Sequence, residues 1–457
     1  MSDDNKREAL LRNVEKIKKK SPHVDPHEKF RTFHDSVTGK TPLEFQLWTK
    51  FKFPITIALF IDEFAVRSNS MNAKGSAVYA IIQEFPDDIK FLDENIILLA
   101  SFHSLHQAHN SIFAPLVTYL QHLFHNEPHF SYFDGKKVTS LPIKPIVCII
   151  LIDKASAGWV LGIKCFSGRN SCFTCTIEGE YDKTHKHTYF PRNGDDTLSY
   201  RRTVKLHNIA LNLNSLKAEL GHPRNSSFHV IGAISDNVFF SFPTFDFFFI
   251  VANDVFHNVP LGIGKMLFRK FLSNEEEANK IINWSLFIPL TQEIFAHSNS
   301  LREKKNIMTG ADWNNFVCYT SPALFTNAGI DQEKLTHWEV LSRTYGKLNS
   351  KREFHSYAEL EQMQRSILDW NKKNVNIFGN NSQTRKMHAF SEHVIPECWR
   401  MGPFFCHSTA CGGSALYKLK HAAFRSRRNM MPAIHNLVLS NYRRRMLVLV
   451  LKYFQKK

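Results

Sequence analysis

ITIALFIDEFAVRSNSMNAKGSAVYAIIQEF, residues 55–85, and IVCIILID, residues 146–153, decide how this chain is read. Ile55–Ile61 is a short apolar run that closes on Asp62, and Ile146–Ile152 is a second that closes on Asp153. Both are apolar runs of strand length, and Ile55–Ile61 is rich in β-branched residues, which marks them as strands. Ser76–Phe85 and Ile96–Phe102 read as further strands, and Ile112–Phe124 as an amphipathic helix before the run at 146. Short strands, a helix and another strand imply an α/β fold, a mixed sheet with a helix packed on it.

A carboxylate at the end of a buried strand is costly unless solvated, paired or bound to metal. Strand ends are also where open sheets place functional groups, because the strand is rigid and its end faces a crevice. Asp62 and Asp153 on adjacent strands would suit Mg²⁺, a hard cation that prefers carboxylate oxygens, and paired ions of that kind serve phosphodiester chemistry. The plainer alternative is that each Asp caps a strand-to-loop turn.

Outward from these strands the chain divides five ways. Residues 1–50 read as a basic helix, with Leu10, Leu11, Val14 and Ile17 on one stripe, followed by a linker. Residues 51–165 hold the sheet, 166–260 form a loop-like Cys/His-bearing insertion, 261–400 are helical, and 401–457 form a basic helical segment. The helical periods are clearest in EEEANKIINWSLFI, WNNFVCYTSPALF, EKLTHWEVLSRTYGKL and YAELEQMQRSILDW. No repeat recurs at a fixed period.

The chain has 457 residues with ordinary globular proportions, 43% hydrophobic and 22% charged, so wholesale disorder is excluded. Its 39 phenylalanines read as core filling. Lys and Arg total 58 against 42 acids, a net charge of +16. The surplus is uneven: no Asp or Glu occurs from Cys398 to Lys457. That stretch carries Arg400, Lys418, Lys420, Arg425, Arg427, Arg428, Arg443, Arg444 and Arg445. Such a surplus favours a polyanionic partner, DNA above all, over a merely solvated tail. Eight cysteines in this length do not make a disulfide framework. The charged N-terminus lacks an apolar signal core, and no apolar run is long enough to span a membrane, so a reduced, nuclear location is expected.

Cys172-x-x-Cys175 presents two thiolates on one turn, a spacing that suits Zn²⁺ but also redox pairs and plain buried thiols.

Five ordered blocks together resemble CACTA-type (En/Spm-like) DNA transposases and proteins domesticated from them. They are LFIDEFAVRSNSMNAKGSAVYAIIQEFP; ENIILLASFHS with IFAPLVTYLQHLF; CIILIDKASAGWVLGIKCFSGRNSCFTCTIEGEY; FPTFDFFFIVANDVFHNVPLGIGKMLFRKFL; and KMHAFSEHVIPECWRMGPFF. The resemblance implies a ribonuclease-H-like mixed sheet, with Asp62 and Asp153 as the first two members of a Mg²⁺-binding acidic triad. It also implies a structural Zn²⁺ on Cys172 and Cys175, completed by downstream histidines: His257 first, then His185, His187, His207 and His222. The family's Arg-Thr-His falls near Arg202-Thr203, where Val204 replaces the His. The family's third carboxylate follows the Gly-Pro, here Gly402-Pro403, yet the matching stretch offers only Ala410 to Gly413, and no acid follows Glu397. The implied function is a transposable-element-derived DNA-binding protein that no longer cuts; self-association is left open. The rivals are an active strand-transfer enzyme and a zinc-stabilised protein-interaction module.

Overall fold

Alternation along Ala58–Ile61 leaves apolar side chains on both faces of a strand, so it must lie inside a sheet covered on each side. The computed structural model describes residues 53–404 apart from short breaks, the longest at 191–200, 220–229 and 286–307, together with Lys29–Phe30. In it this segment is the middle of β1 (Phe53–Ala65). Leu59 and Ile61 face one core, while Phe60 stacks on Tyr79 across the strand pair.

β1 pairs antiparallel with β2 (Lys74–Ile82), which pairs antiparallel with β3 (Ile96–His103). After helix α1 (His109–Asn126) come β4 (His129–Phe133) and the long β5 (Val138–Ile152). β4 and the start of β5 form an antiparallel hairpin, and the rest of β5 runs parallel to β1, with Ile61 opposite Ile152. A two-residue strand, β8 (Val251–Ala252), runs parallel to the end of β5, with Leu151 opposite Ala252. The sheet order is therefore β3-β2-β1-β5, with β4 and β8 both on β5 and β2 reversed relative to β1, β3, β5 and β8. Helix α1 lays Phe113, Val117 and Leu120 on this sheet, and Phe113 meets Phe102 and Phe239 edge-on or tilted.

Asp62 is half-buried on β1, but it does not end the strand as its sequence suggests. The strand continues to Ala65 because the β1–β2 hairpin holds it, with Asp62 opposite Ala77. Asp62 is instead the first residue beyond the pairing with β5, where β1 leaves its parallel neighbour.

The middle third, read as loop from sequence, contains the hairpin β6 (Glu180–Asp182) with β7 (His187–Tyr189), and a helix, α2 (Val204–Glu219). The helical half follows β8: α3 (Val255–Asn258), a π-helical turn (Val259–Gly264) that includes Pro260, α4 (Lys265–Phe271) and α5 (Glu275–Ser285). It continues with α6 (Gly310–Asn315), α7 (Ser321–Asn327), α8 (Gln332–Asn349), α9 (Tyr357–Phe378), α10 (Arg385–Glu392) and α11 (Val394–Met401). Several of these helices start on caps that the sequence supplies. Ser356 and Glu359 make a capping box on α9, Thr309 and Asp312 one on α6, and Thr384 caps α10. Phe268, Phe271, Phe316, Phe325, Trp313 and Trp338 fill a second core with edge-to-face contacts. No helix among the described residues is long and apolar enough to cross a membrane.

Candidate metal centre

Cys172 and Cys175 lie on a loop before β6, both buried. The side chains that meet them come from more than two hundred residues away. Cys172 Sγ is 3.3 Å from His393 Nε2, Cys175 Sγ is 3.3 Å from His388 Nε2, and the two Nε2 atoms are 3.0 Å apart. All four ligand atoms lie within 4.8 Å of one another, and all four residues are buried. A tetrahedral Zn²⁺ with Zn–S near 2.3 Å and Zn–N near 2.05 Å sets S···N edges of about 3.6 Å and N···N edges of about 3.3 Å. The pocket thus has the donor types and size of a Cys₂His₂ metal site. With four protein ligands and no open position, it can hold an ion structurally but offers no place for substrate.

Helix geometry explains how two histidines five apart can converge. On an unbroken α-helix, positions five apart lie roughly 140° apart around the axis. Here α10 stops at Glu392 and α11 starts at Val394, and His393 sits between them with φ −121°, outside the helical range. The break swings His393 back onto the face of His388. Phe190, just past β7, stacks on the His388 ring, and its N–H donates to the Gln383 carbonyl.

Two buried arginines shape the cysteine loop. Arg202 donates through Nε and Nη2 to the Cys172 carbonyl at 3.2 and 2.9 Å, and its own N–H donates to the Thr174 carbonyl at 3.0 Å. Arg385 Nη1 donates to the Ser171 carbonyl at 3.0 Å. Burial lowers the Arg202 pKa to about 10, and the nearby Cys172 and Cys175 oppose that shift. The Cys172 thiol is held well below its usual range: burial works against this, and hydrogen bonds from Cys175 and His388 together with the charge and hydrogen bond of His393 outweigh it. Thr203 Oγ1 accepts from the Leu206 N–H at the start of α2, so Val204 simply opens a helix, and no histidine is needed there.

A polar network then ties this loop to the sheet. Asn253, just past β8, donates through Nδ2 to Thr174 Oγ1 at 2.8 Å, and Glu397 of α11 accepts both the Asn253 backbone N–H and its Nδ2. Arg400 lies 3.8 Å from Glu397, donates to the Val251 carbonyl and sits over Phe249. Burial raises the Glu397 carboxyl pKa, against the pull of Arg400 and Asn253. Burial likewise drops Arg400 to about 9, with Glu397 opposing. Arg400 is therefore not part of a solvent-facing basic stretch: it is 5% exposed, because it neutralises Glu397 beneath the sheet end.

The sequence ranked His257 first as a partner of the cysteines, and the structure places it elsewhere. His257 Nδ1 bonds the carboxylate of Asp254, the residue that caps α3. Its side chain is turned to Asp254 by their three-residue spacing on one helical turn. His207 is buried between Phe240 and Phe248 and bonds the Ser235 carbonyl, while His187 is exposed beside Tyr189. His185, His222, Asp153, Ala410, Gly413 and the basic residues Lys418, Lys420, Arg425, Arg427, Arg428, Arg443, Arg444 and Arg445 lie outside the described residues. The pair His388 and His393 was visible in sequence as the late His-bearing block. No helical spacing links its two members, so local pattern alone does not join the block to the cysteines.

No protein-family model matches the chain, and no curated protein matches it.

Proposed function

We propose that the chain is a transposase-derived DNA-binding protein with a ribonuclease-H-like core, clamped by a structural Zn²⁺ and no longer competent to cut DNA. The observation that carries this reading is the sheet. A ribonuclease-H-like core asks for a central first strand, a reversed neighbour on one side, and parallel strands carrying acids at their C-terminal ends on the other. Here β1 is central and β2 is reversed, while β5 and β8 run parallel to β1. Asp62 lies where β1 parts from β5, and Asp153 follows directly on Ile152, the last residue of β5. The Cys₂His₂ cluster supports the same reading, because it joins the cysteine block to the late histidine block that the family resemblance set in order.

Loss of cutting rests on the missing third acid. A two-metal site left with two carboxylates holds its second ion loosely, and charge on the leaving oxygen goes unstabilised. The net charge of +16 supplies the attraction for a polyanion. The test is the purified full chain on a labelled duplex with Mg²⁺ or Mn²⁺. Binding without nicking is expected. Metal-dependent nicking that vanishes in Asp62→Ala would overturn the loss of activity, and no duplex binding at low salt would overturn the DNA-binding assignment.

A further inference from the structure

A groove of 670 Å³ opens between α4, with the π-helical turn before it, and the start of α10. Among the described residues twelve line it, five of them the cations Lys265, Arg269, Lys270, Arg385 and Lys386, and none a carboxylate. The chain's overall basicity does not account for this. The larger groove between α8 and α9 is lined by Glu333, Glu359 and Asp369 against Arg343, Lys347 and Lys373, an even balance.

The wall is built, not incidental. Lys386 crosses Gly262 so closely that a Cβ there would lie 2.3 Å from its Cδ, and Lys386 Nζ reaches the Leu261 carbonyl at 3.4 Å. Lys270 is tied to the Phe378 carbonyl at 3.0 Å and to Asn381 Oδ1 at 2.6 Å. Arg385 is pinned through Ser171 to the cysteine loop. Lys265 and Arg269 stand one turn apart on α4, Arg269 exposed, and neither forms a salt bridge among the described residues. Lys386 feels the repulsion of Arg385 and Lys265 as well as the pull of Asp254, and an anion in the groove would relieve the crowding of like charges. Among the described lining residues the one ring is that of His187, and no Phe, Tyr or Trp lines the groove. Five cations against one imidazole suit phosphates better than a run of stacked bases.

We propose that this groove, with Lys265 and Arg269 at its mouth, receives the phosphate backbone of duplex nucleic acid without reading its sequence. The proposal rests on the DNA-binding reading and names the surface that performs it. Because α10 carries both Arg385–Lys386 and the ligand His388, the metal clip sets the position of one wall of the groove.

The experiment is fluorescence anisotropy of two unrelated duplexes of roughly 20 base pairs with the full chain, between about 50 and 300 mM salt. It compares wild type with Lys265→Gln/Arg269→Gln, with Arg269→Gln alone, and with Arg425→Gln/Arg427→Gln/Arg428→Gln. Each phosphate contact contributes about −0.9 to the slope of log K against log salt, which is about eightfold in affinity at 0.1 M. The double groove variant is expected to bind on the order of 60-fold more weakly at 0.1 M salt, with a slope shallower by about 1.8, equally for both duplexes. Arg269→Gln alone removes one exposed side chain and is expected to lose about eightfold. Unchanged affinity and slope in both groove variants, with binding abolished in the 425–428 triple, would overturn the groove while leaving the DNA-binding reading intact. Absence of duplex binding by wild type would overturn both. Tight binding of a mononucleoside triphosphate, lost in the groove variants, would overturn the backbone assignment in favour of a nucleotide pocket.

Discussion

Chelating the ion that the Cys₂His₂ cluster could hold is the perturbation that tests the architecture most directly. The cluster joins Cys175 to His388 across 213 residues of chain. Closing a loop of that length stabilises a fold by on the order of 5 kcal/mol in the chain-entropy account. Unfolding entropy near 2.1 cal/mol/K per residue, over 457 residues, gives about 1 kcal/mol for each degree of melting temperature. Chelation is therefore expected to lower Tm by about 5 °C through loop closure alone. Loss of the ligand bonds adds to this, since structural Zn²⁺ is held by about 10–16 kcal/mol in small zinc domains. The measurements are metal content by elemental analysis, expected at one Zn²⁺ per chain, and calorimetry with and without a chelator. His388→Ala and His393→Ala should each lose the ion, whereas His257→Ala should keep it. An ion retained in His388→Ala but lost in His257→Ala would refute the ligand assignment. A metal-free protein whose melting ignores the chelator would refute the clip itself.

Two further outcomes follow from buried polar groups. Asn253→Ala cuts the link between Thr174 and Glu397 and leaves buried oxygens without a donor; a loss of about 1–3 kcal/mol in denaturant unfolding is expected, and a neutral result would show the network to be idle. His337 is 4% exposed, stacks on Trp370 and has its pKa lowered to about 4, chiefly by burial. The unfolded ring binds a proton from about pH 6.5 downwards while the folded ring resists until about 4, so stability falls as pH drops through that window. Between pH 7 and pH 5 the contribution is about 2 kcal/mol, and His337→Gln should flatten that part of the profile. An equal pH dependence in both proteins would exclude His337 as its source.

The strands were legible because both faces of the sheet are covered: apolar runs at Ile55–Ile61 and Ile146–Ile152 need no partner to be recognised. The helices α8 and α9 announced themselves through their 3.6-residue periods. Helix α2 did not, since Asn208, Asn212 and Asn214 weaken its helical preference, and its apolar Ile209, Leu213 and Leu216 point outward. The cysteine pair was legible as metal-like from its spacing, but its histidines were not. Their convergence depends on the helix break at His393 and on folding that brings residues 172 and 393 together, and neither is written in local pattern. His257 headed the candidates under the family resemblance, yet Asp254 three residues before it makes the shorter-range claim on its ring. Arg400 shows the limit of charge counting: a cation in a run free of acids was paired with Glu397, the last acid before that run.

Glu397 raises the question of whether it could stand in for the third carboxylate that the proposed transposase ancestry expects. It is on α11, close in sequence to Gly402-Pro403, and it reaches the residue that follows β8. Its surroundings argue against metal binding. The side chain is 0% exposed, one oxygen accepts the Asn253 backbone N–H, and the other accepts Asn253 Nδ2 and faces Arg400. An ion would have to displace Arg400, itself 5% exposed, and leave that guanidinium without a counter-charge. The carboxylate therefore anchors α11 to the sheet, and with it the helix break that aims His393. Glu397→Gln should cost about 3–5 kcal/mol, because it strands a buried cation. Glu397→Gln with Arg400→Met should recover much of that loss, since removing both partners of a buried pair is often close to neutral. A catalytic Glu397 would give the opposite pattern: Glu397→Gln would fold with little loss of stability and abolish a metal-dependent nicking that wild type possesses. Recovery of stability in the double variant, with no nicking in any of the three proteins, is the outcome this geometry requires.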